Sequence, residues 1–285
     1  MTVDRRTVLR STARLAALTA TGALIAACDD SASETSHGPA SYAAPGQPPH
    51  LNTAGPAATG LPAAPSRTPT APATAGATAA PPLAVNTPDE VVNGPRDRRE
   101  VALTFHGQGD PALATALLAA AEKHGARLTV LAVGSWLDQQ PQMARRILDG
   151  GHELGNHTQN HLDISTMTAA QAQAEITQCA ERLQKLTGSI GRWFRPSAAQ
   201  YATPMVREQA KLVGYQHCLS YDVDPRDYTD PGADVLQRRL LKAVSGGSVV
   251  ALHMGHRGTV EALPGILDGL AKLGLSAVTA SQLCA

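Results

Sequence analysis

The chain has no surplus of charge of either sign: 24 Lys and Arg face 24 Asp and Glu, for a formal net charge of zero. A nucleic-acid-binding domain shows a basic excess gathered on one face, so no nucleic-acid partner is expected. Long apolar runs are missing too. The one near the N-terminus, residues 15–27, is too short to span a bilayer stably. No repeat of fixed period occurs in the second two thirds of the chain, which excludes a solenoid or propeller. Cysteine is scarce. Beyond Cys28 only Cys179, Cys218 and Cys284 remain, an odd count that cannot make a fully paired disulfide framework. Lone cysteines among apolar neighbours read as small buried residues.

What is present first is an export signal. Arg5 and Arg6 precede the apolar segment at 15–27, the basic-then-apolar order of a secretory signal. The arginine pair resembles the twin-arginine signal, which implies folding before translocation. Leu24-Ile25-Ala26-Ala27-Cys28 resembles a bacterial lipobox, with Cys28 as the lipidated residue. Residues 1–28 are therefore read as the signal. Residues 29–95 are rich in Ala, Pro and Thr and poor in aromatic and β-branched runs, so they are read as a disordered tether. Residues 96–285 are left for one domain with a substantial core.

That domain alternates strand and helix. Apolar runs at 99–105, 128–133, 193–194, 217–221, 248–252 and 277–278 read as strands, with a strand edge at 152–156. Helical spacing fills 110–124, 141–149, 168–186, 204–213, 234–244 and 260–273, with Thr168 as an N-cap. Strand–helix–strand repeated with short links implies parallel strands covered by helices, and a barrel is favoured over an open sheet. The fold class is thus α/β, a (β/α) barrel.

The strongest local signal is residues 151–161, Gly-His-Glu-Leu-Gly-Asn-His-Thr-Gln-Asn-His. His157 and His161, spaced i, i+4, would share one face of a helical turn and converge on one ion. They follow a strand end, where α/β folds bind ligands. This run resembles the second motif of the polysaccharide deacetylases, the NodB-homology domain of carbohydrate esterase family 4. Phe194-Arg195-Pro196 resembles that family's arginine motif, the stretch from Asp222-Val223-Asp224 to Asp227-Tyr228 its acidic motif, and Val250-Ala251-Leu252-His253 its final histidine motif. The resemblance spans nearly all of residues 97–285. It implies a distorted (β/α) barrel that hydrolyses acetyl groups on sugars with a divalent metal, commonly zinc. His157 and His161 would be ligands, His253 the general acid, and Asp224 the residue that orients it. An amide carbonyl must be polarised and its nitrogen protonated before it leaves, which is work for such a set.

The first motif departs from the family. Where most members read Thr-Phe-Asp-Asp-Gly, this chain reads Thr104-Phe105-His106-Gly107-Gln108-Gly109-Asp110-Pro111. Either Asp110 returns a carboxylate as ligand or base, with His106 as base or ligand, or the site is broken and only binds polymer. Retention of Arg195, the family's partner for the catalytic aspartate, favours a carboxylate nearby, with Asp110 the simplest candidate. A packed, purely structural His106 is the third reading. Ser197-Ala198 also departs, standing where a proline and an aromatic residue are usual. His152, His217, His256, Trp136 and Trp193 read as packing or rim residues.

The expected function is N-deacetylation of an acetylated cell-envelope or environmental polysaccharide, peptidoglycan-type ahead of chitin-type, by a monomer held outside the cell membrane or secreted. The alternatives are an inactive carbohydrate-binding lipoprotein and an O-acetyl esterase on xylan-type glycans. The anchoring expectation is checked by fractionation: Cys28→Ala should move the protein from membrane to soluble fraction, and a variant still bound to membrane would refute the lipid anchor.

Overall fold

The computed structural model describes residues 80–285. The signal at 1–28, with its lipobox, and the tether as far as residue 79 lie outside the described residues. The strands are β1 (Glu90–Val91), β2 (Glu100–Gly107), β3 (Thr129–Ala132), β4 (Glu153–Asn156), β5 (Trp193–Phe194), β6 (His217–Leu219), β7 (Val249–His253) and β8 (Ser276–Val278). The helices are α1 (Pro111–Lys123), α2 (Gly134–Gln139), α3 (Gln142–Asp149), α4 (Ala169–Thr187), α5 (Pro204–Val213), α6 (Ala233–Ala243), α7 (Arg257–Lys272) and α8 (Ala280–Leu283).

The sheet runs β1-β6-β5-β4-β3-β2-β7, every pair parallel, with β8 beside the first half of β2. Its two edges do not form a ladder. They meet through single bridges, Asn93 with Ser248 and Val223 with Val250, and through the Gly94 N–H on the Gly247 carbonyl at 2.8 Å. This is the distorted barrel that the family resemblance implied. The tether ends earlier than residue 95, because β1 pairs with β6 and buries Val91 beside Leu219 and Trp193. Two residues suffice there because the neighbouring strand supplies the hydrogen-bonding edge.

Caps fix the helix starts. Asp110 accepts from the Ala112 N–H at 2.8 Å with Pro111 behind it, and Thr168 with Gln171 closes a capping box on α4. The short α2 has no side-chain cap, which left it without a sequence signature. Val101, Leu103 and Phe105 of β2 pack with Leu117 and Leu118 of α1 and with Leu263 and Ile266 of α7. A second cluster lies inside the barrel, where Ala102, Leu131, Trp193, Leu219 and Val249 meet Leu283 of α8. Both tryptophans are buried, as core residues. The carboxyl ends of β2, β4 and β7 therefore open on one rim, and His106 and His253 are register partners there.

At the other end of β4, burial pushes His152 down to about 4 despite its contact with Glu122 at 3.3 Å. The unfolded chain takes up this proton near pH 6.5, whereas the folded chain resists until about pH 4. Stability should therefore fall as pH drops through that window, by up to about 3 kcal/mol from this group. Urea melts of the parent and His152→Gln at pH 7.5 and 4.5 check this; parallel losses would mean His152 contributes nothing.

Candidate active site and metal centre

The segment from Asn156 to His161 is not helical. Thr158 and His161 take left-handed conformations, φ 66° and 56°, which non-glycine residues adopt rarely. A network holds them there. Asn156 Oδ1 accepts from the Thr158 N–H at 2.8 Å, and Thr158 Oγ1 from the His161 N–H at 3.2 Å. Glu175 of α4 accepts from the Asn160 N–H at 2.8 Å and from its side-chain amide at 2.7 Å. The two rings still converge, 4.8 Å between centroids, but through this clamped turn and not through helical spacing.

His106 joins them from the end of β2, its ring 4.3 Å from that of His157 and 6.3 Å from that of His161. Candidate ligand atoms of the three lie within 4.8 Å of one another. His157 Nδ1 bonds the Arg195 carbonyl at 3.0 Å; a carbonyl only accepts, so Nδ1 carries the proton and Nε2 turns a lone pair inward. His157 Nε2, His161 Nε2 and both ring nitrogens of His106 are buried with no hydrogen-bond partner. Burial lowers the pKa of His106 and His157 well below the usual value, and that of His161 less far, with repulsion from neighbouring cationic groups adding to each. The rings are thus neutral at neutral pH. An unpaired buried polar atom costs about 1–3 kcal/mol, and a shared cation would satisfy several of these at once. The three residues fit a divalent metal.

The remaining expected residues divide. His253, at the end of β7, sits with its ring 4.4 Å from His106. Its carboxylate is Asp227, not Asp224. Asp227 Oδ1 bonds His253 Nδ1 at 2.7 Å, and Oδ2 accepts from the His253 N–H at 2.7 Å and from Thr259 Oγ1 at 2.8 Å. Asp224 instead accepts from the Arg226 N–H, a turn bond three residues away from that carboxylate. The acidic motif holds three aspartates, and only the left-handed turn at Arg226, φ 58°, decides which one faces His253.

Asp110 is spent on capping α1 and does not join the histidines. The Asp-Pro pair was itself the signal for that role. Arg195 is fully buried and meets no carboxylate. Its Nε donates to the Leu219 carbonyl at 2.8 Å and its Nη2 to Thr104 Oγ1 at 2.8 Å and the Ser220 carbonyl at 3.1 Å. The inference that Arg195 implies a nearby carboxylate therefore fails: carbonyl and hydroxyl oxygens engage its Nε and Nη2, while Nη1 is buried without a partner. Burial pushes its pKa down to about 9, which leaves it charged at neutral pH. Beside the histidines a cleft of about 330 Å³ opens between Gln108-Gly109 and His253, Gly255 and His256. Gly109, φ 106°, lies so near Gly255 that a Cβ would come within 2.6 Å of its Cα. Trp136 Nε1 holds the Gly109 carbonyl at 2.9 Å. His256 pairs with Asp230 at 2.8 Å on the outer edge.

Comparison with known proteins matches residues 93–218 to the polysaccharide deacetylase family. A peptidoglycan-N-acetylglucosamine deacetylase of Bacillus cereus is 32% identical over 193 residues, 66% of this chain and 90% of that protein. The chain belongs to the polysaccharide deacetylase family. A second member, a chitooligosaccharide deacetylase of Rhizobium leguminosarum, is 31% identical over 169 residues, 58% of this chain and 73% of that one. Among solved structures, a carbohydrate esterase family 4 pseudoenzyme from Bacillus anthracis superimposes with a TM-score of 0.66 at 23% identity, covering 70% of each chain. That likeness shows the fold. Where the family resemblance implies two carboxylates in the first motif, this chain carries His106 and Gly107.

The cap and ligand readings of Asp110 separate cleanly. Asp110→Ala should cost about 1 kcal/mol of stability and leave metal content unchanged. Thermal melts with elemental analysis check this; a variant that loses its metal would restore Asp110 to the ligand set.

Proposed function

We propose that the domain is a metal-dependent hydrolase that removes N-acetyl groups from a cell-envelope polysaccharide, with peptidoglycan-type sugars ahead of chitin-type. One observation carries the reading: three neutral imidazoles, each with a buried ring nitrogen that has no hydrogen-bond partner, lie against a His–Asp dyad at the mouth of a cleft. His106, His157 and His161 would hold the ion, with zinc the best match to neutral nitrogen donors. When bound, it supplies Lewis-acid polarisation of the acetyl carbonyl.

The chain's own residues do the rest. Asp227 accepts from His253 Nδ1, which fixes the tautomer and leaves Nε2 to exchange a proton with the substrate. Thr259 and the His253 N–H hold the other Asp227 oxygen, so the carboxylate cannot turn away. Deacetylation needs a proton delivered to the departing nitrogen, and His253 is the group beside the histidine cluster able to give it. Peptidoglycan is favoured by the lipobox-like run ending at Cys28, which would tether the domain beside the envelope, and by the substrate named for the Bacillus cereus relative.

A second reading has its own support. No carboxylate stands at the first motif to act as an independent base, and the domain would then be a binding module. Acetate release from N-acetylglucosamine oligomers distinguishes the two. The parent should release acetate, with His253→Ala and Asp227→Asn each slower by about 10²–10⁴-fold and still folded. A parent that binds polymer without releasing acetate supports the binding module.

A further inference from the structure

We propose that His106 is a metal ligand and not a base, so that this deacetylase holds its ion with three imidazoles and no carboxylate. The inference deepens the proposed function and rests on it only for the identity of the reaction. Its first support is geometric. Thr104 and His106 alternate onto the same face of β2, and that face meets Arg195, whose Nη2 bonds Thr104 Oγ1. His106 is thereby aimed at the two histidines of the 156–161 turn. Neither of its ring nitrogens has a partner, although His157 and His253 stand 4.3 and 4.4 Å away by centroid. A histidine kept for packing would bond a carbonyl, as His157 does through Nδ1.

The second support is elimination of every nearby carboxylate. Asp110 caps α1, Glu175 is held by Asn160, Asp227 by His253 and Thr259, Asp224 closes its own turn, and Asp230 lies outside on His256. The neighbouring position cannot contribute one either. A Cβ on Gly107 would stand 2.7 Å from Val130 Cγ1 and 3.0 Å from Ala132 Cα, so β3 occupies the space of a side chain. His106 is the one group that the end of β2 can send to the ion.

The ligand set dictates the class of metal. Three neutral nitrogens suit borderline cations such as zinc and cobalt, whereas magnesium, calcium and manganese prefer carboxylate and carbonyl oxygen. None of the donors carries charge, so the ion would keep its full double charge beside the buried Arg195 guanidinium. Such a site favours an anionic or strongly polarised fourth ligand in its open position.

The test uses the purified full chain, stripped with chelator and reloaded with zinc, cobalt, manganese or magnesium. Zinc and cobalt should bind at one equivalent, roughly 10²-fold or more tighter than manganese or magnesium. X-ray absorption of the zinc form should count three imidazoles. His106→Ala should weaken zinc roughly 10²-fold and remove one imidazole, while His106→Asp should keep zinc and exchange a nitrogen for an oxygen. Two imidazoles in the parent, a preference for manganese or magnesium, or unchanged zinc affinity in His106→Ala would overturn the proposal. If the alanine variant does not fold, His106→Asp decides, since an unaltered zinc spectrum there also overturns it. Acetate release is measured on the same zinc-loaded parent. Three imidazoles without acetate would reject the hydrolase reading and leave the ligand set standing.

Discussion

The architecture of the rim depends on one buried cation. Arg195 reaches from the end of β5 to the Leu219 and Ser220 carbonyls at the end of β6 and to Thr104 on β2, while its own carbonyl orients His157 after β4. Thr104 in turn donates to the Val250 carbonyl of β7 at 2.7 Å. A buried charge that loses its partners costs several kcal/mol, so the strand ends are held at the separations that keep these oxygens in place. The same guanidinium sits near His106 and His157 and helps keep both rings neutral. Fold and site share this residue.

Around it stand neutral donors where the family resemblance implies charge. A first motif with two carboxylates would give the site anionic character and a partner for Arg195. With His106 and Gly107 there, the negative group nearest the histidine cluster is Asp227, already engaged by His253 and Thr259. Acid–base work is thereby concentrated on a single His–Asp dyad, and the cleft beside it is lined by glycine backbone and two histidines. Family membership therefore fixes the scaffold more firmly than it fixes the chemistry at β2.

Much of this was legible in the sequence, for stated reasons. The main strands and helices carried either apolar runs or cap signatures, and Thr168 caps α4 as expected. His157 and His161 meet as expected, although their spacing argued for a helix that a clamped loop replaces. What was not legible depended on backbone torsion or on distant partners. Spacing cannot choose among Asp222, Asp224 and Asp227, because a left-handed residue at Arg226 re-aims the chain between them. Asp110 looked like a returned carboxylate because only position was weighed, while its neighbour Pro111 already marked a helix start. Arg195 suggested an acid because guanidinium groups usually pair with acids; the main-chain oxygens at the end of the neighbouring β6 were invisible.

The floor of the barrel has a consequence for how the protein is made. Glu153, at the start of β4, is half-buried against Trp193 Nε1 and Ser281, and Thr129 Oγ1 accepts from the Ala280 N–H at 2.8 Å. Leu283 fills the interior beside Trp193 and Leu219. Helix α8 thus stoppers strands made more than a hundred residues earlier. A nascent chain lacking it leaves Glu153 without the Ser281 N–H and hydroxyl that bond it, at an open end of the barrel. Completion of the fold therefore depends on α8, far along the chain from β3 and β4, and β2 depends likewise on the distant β7 and β8. Pairings between strands so far apart in the chain make this a topology that folds slowly.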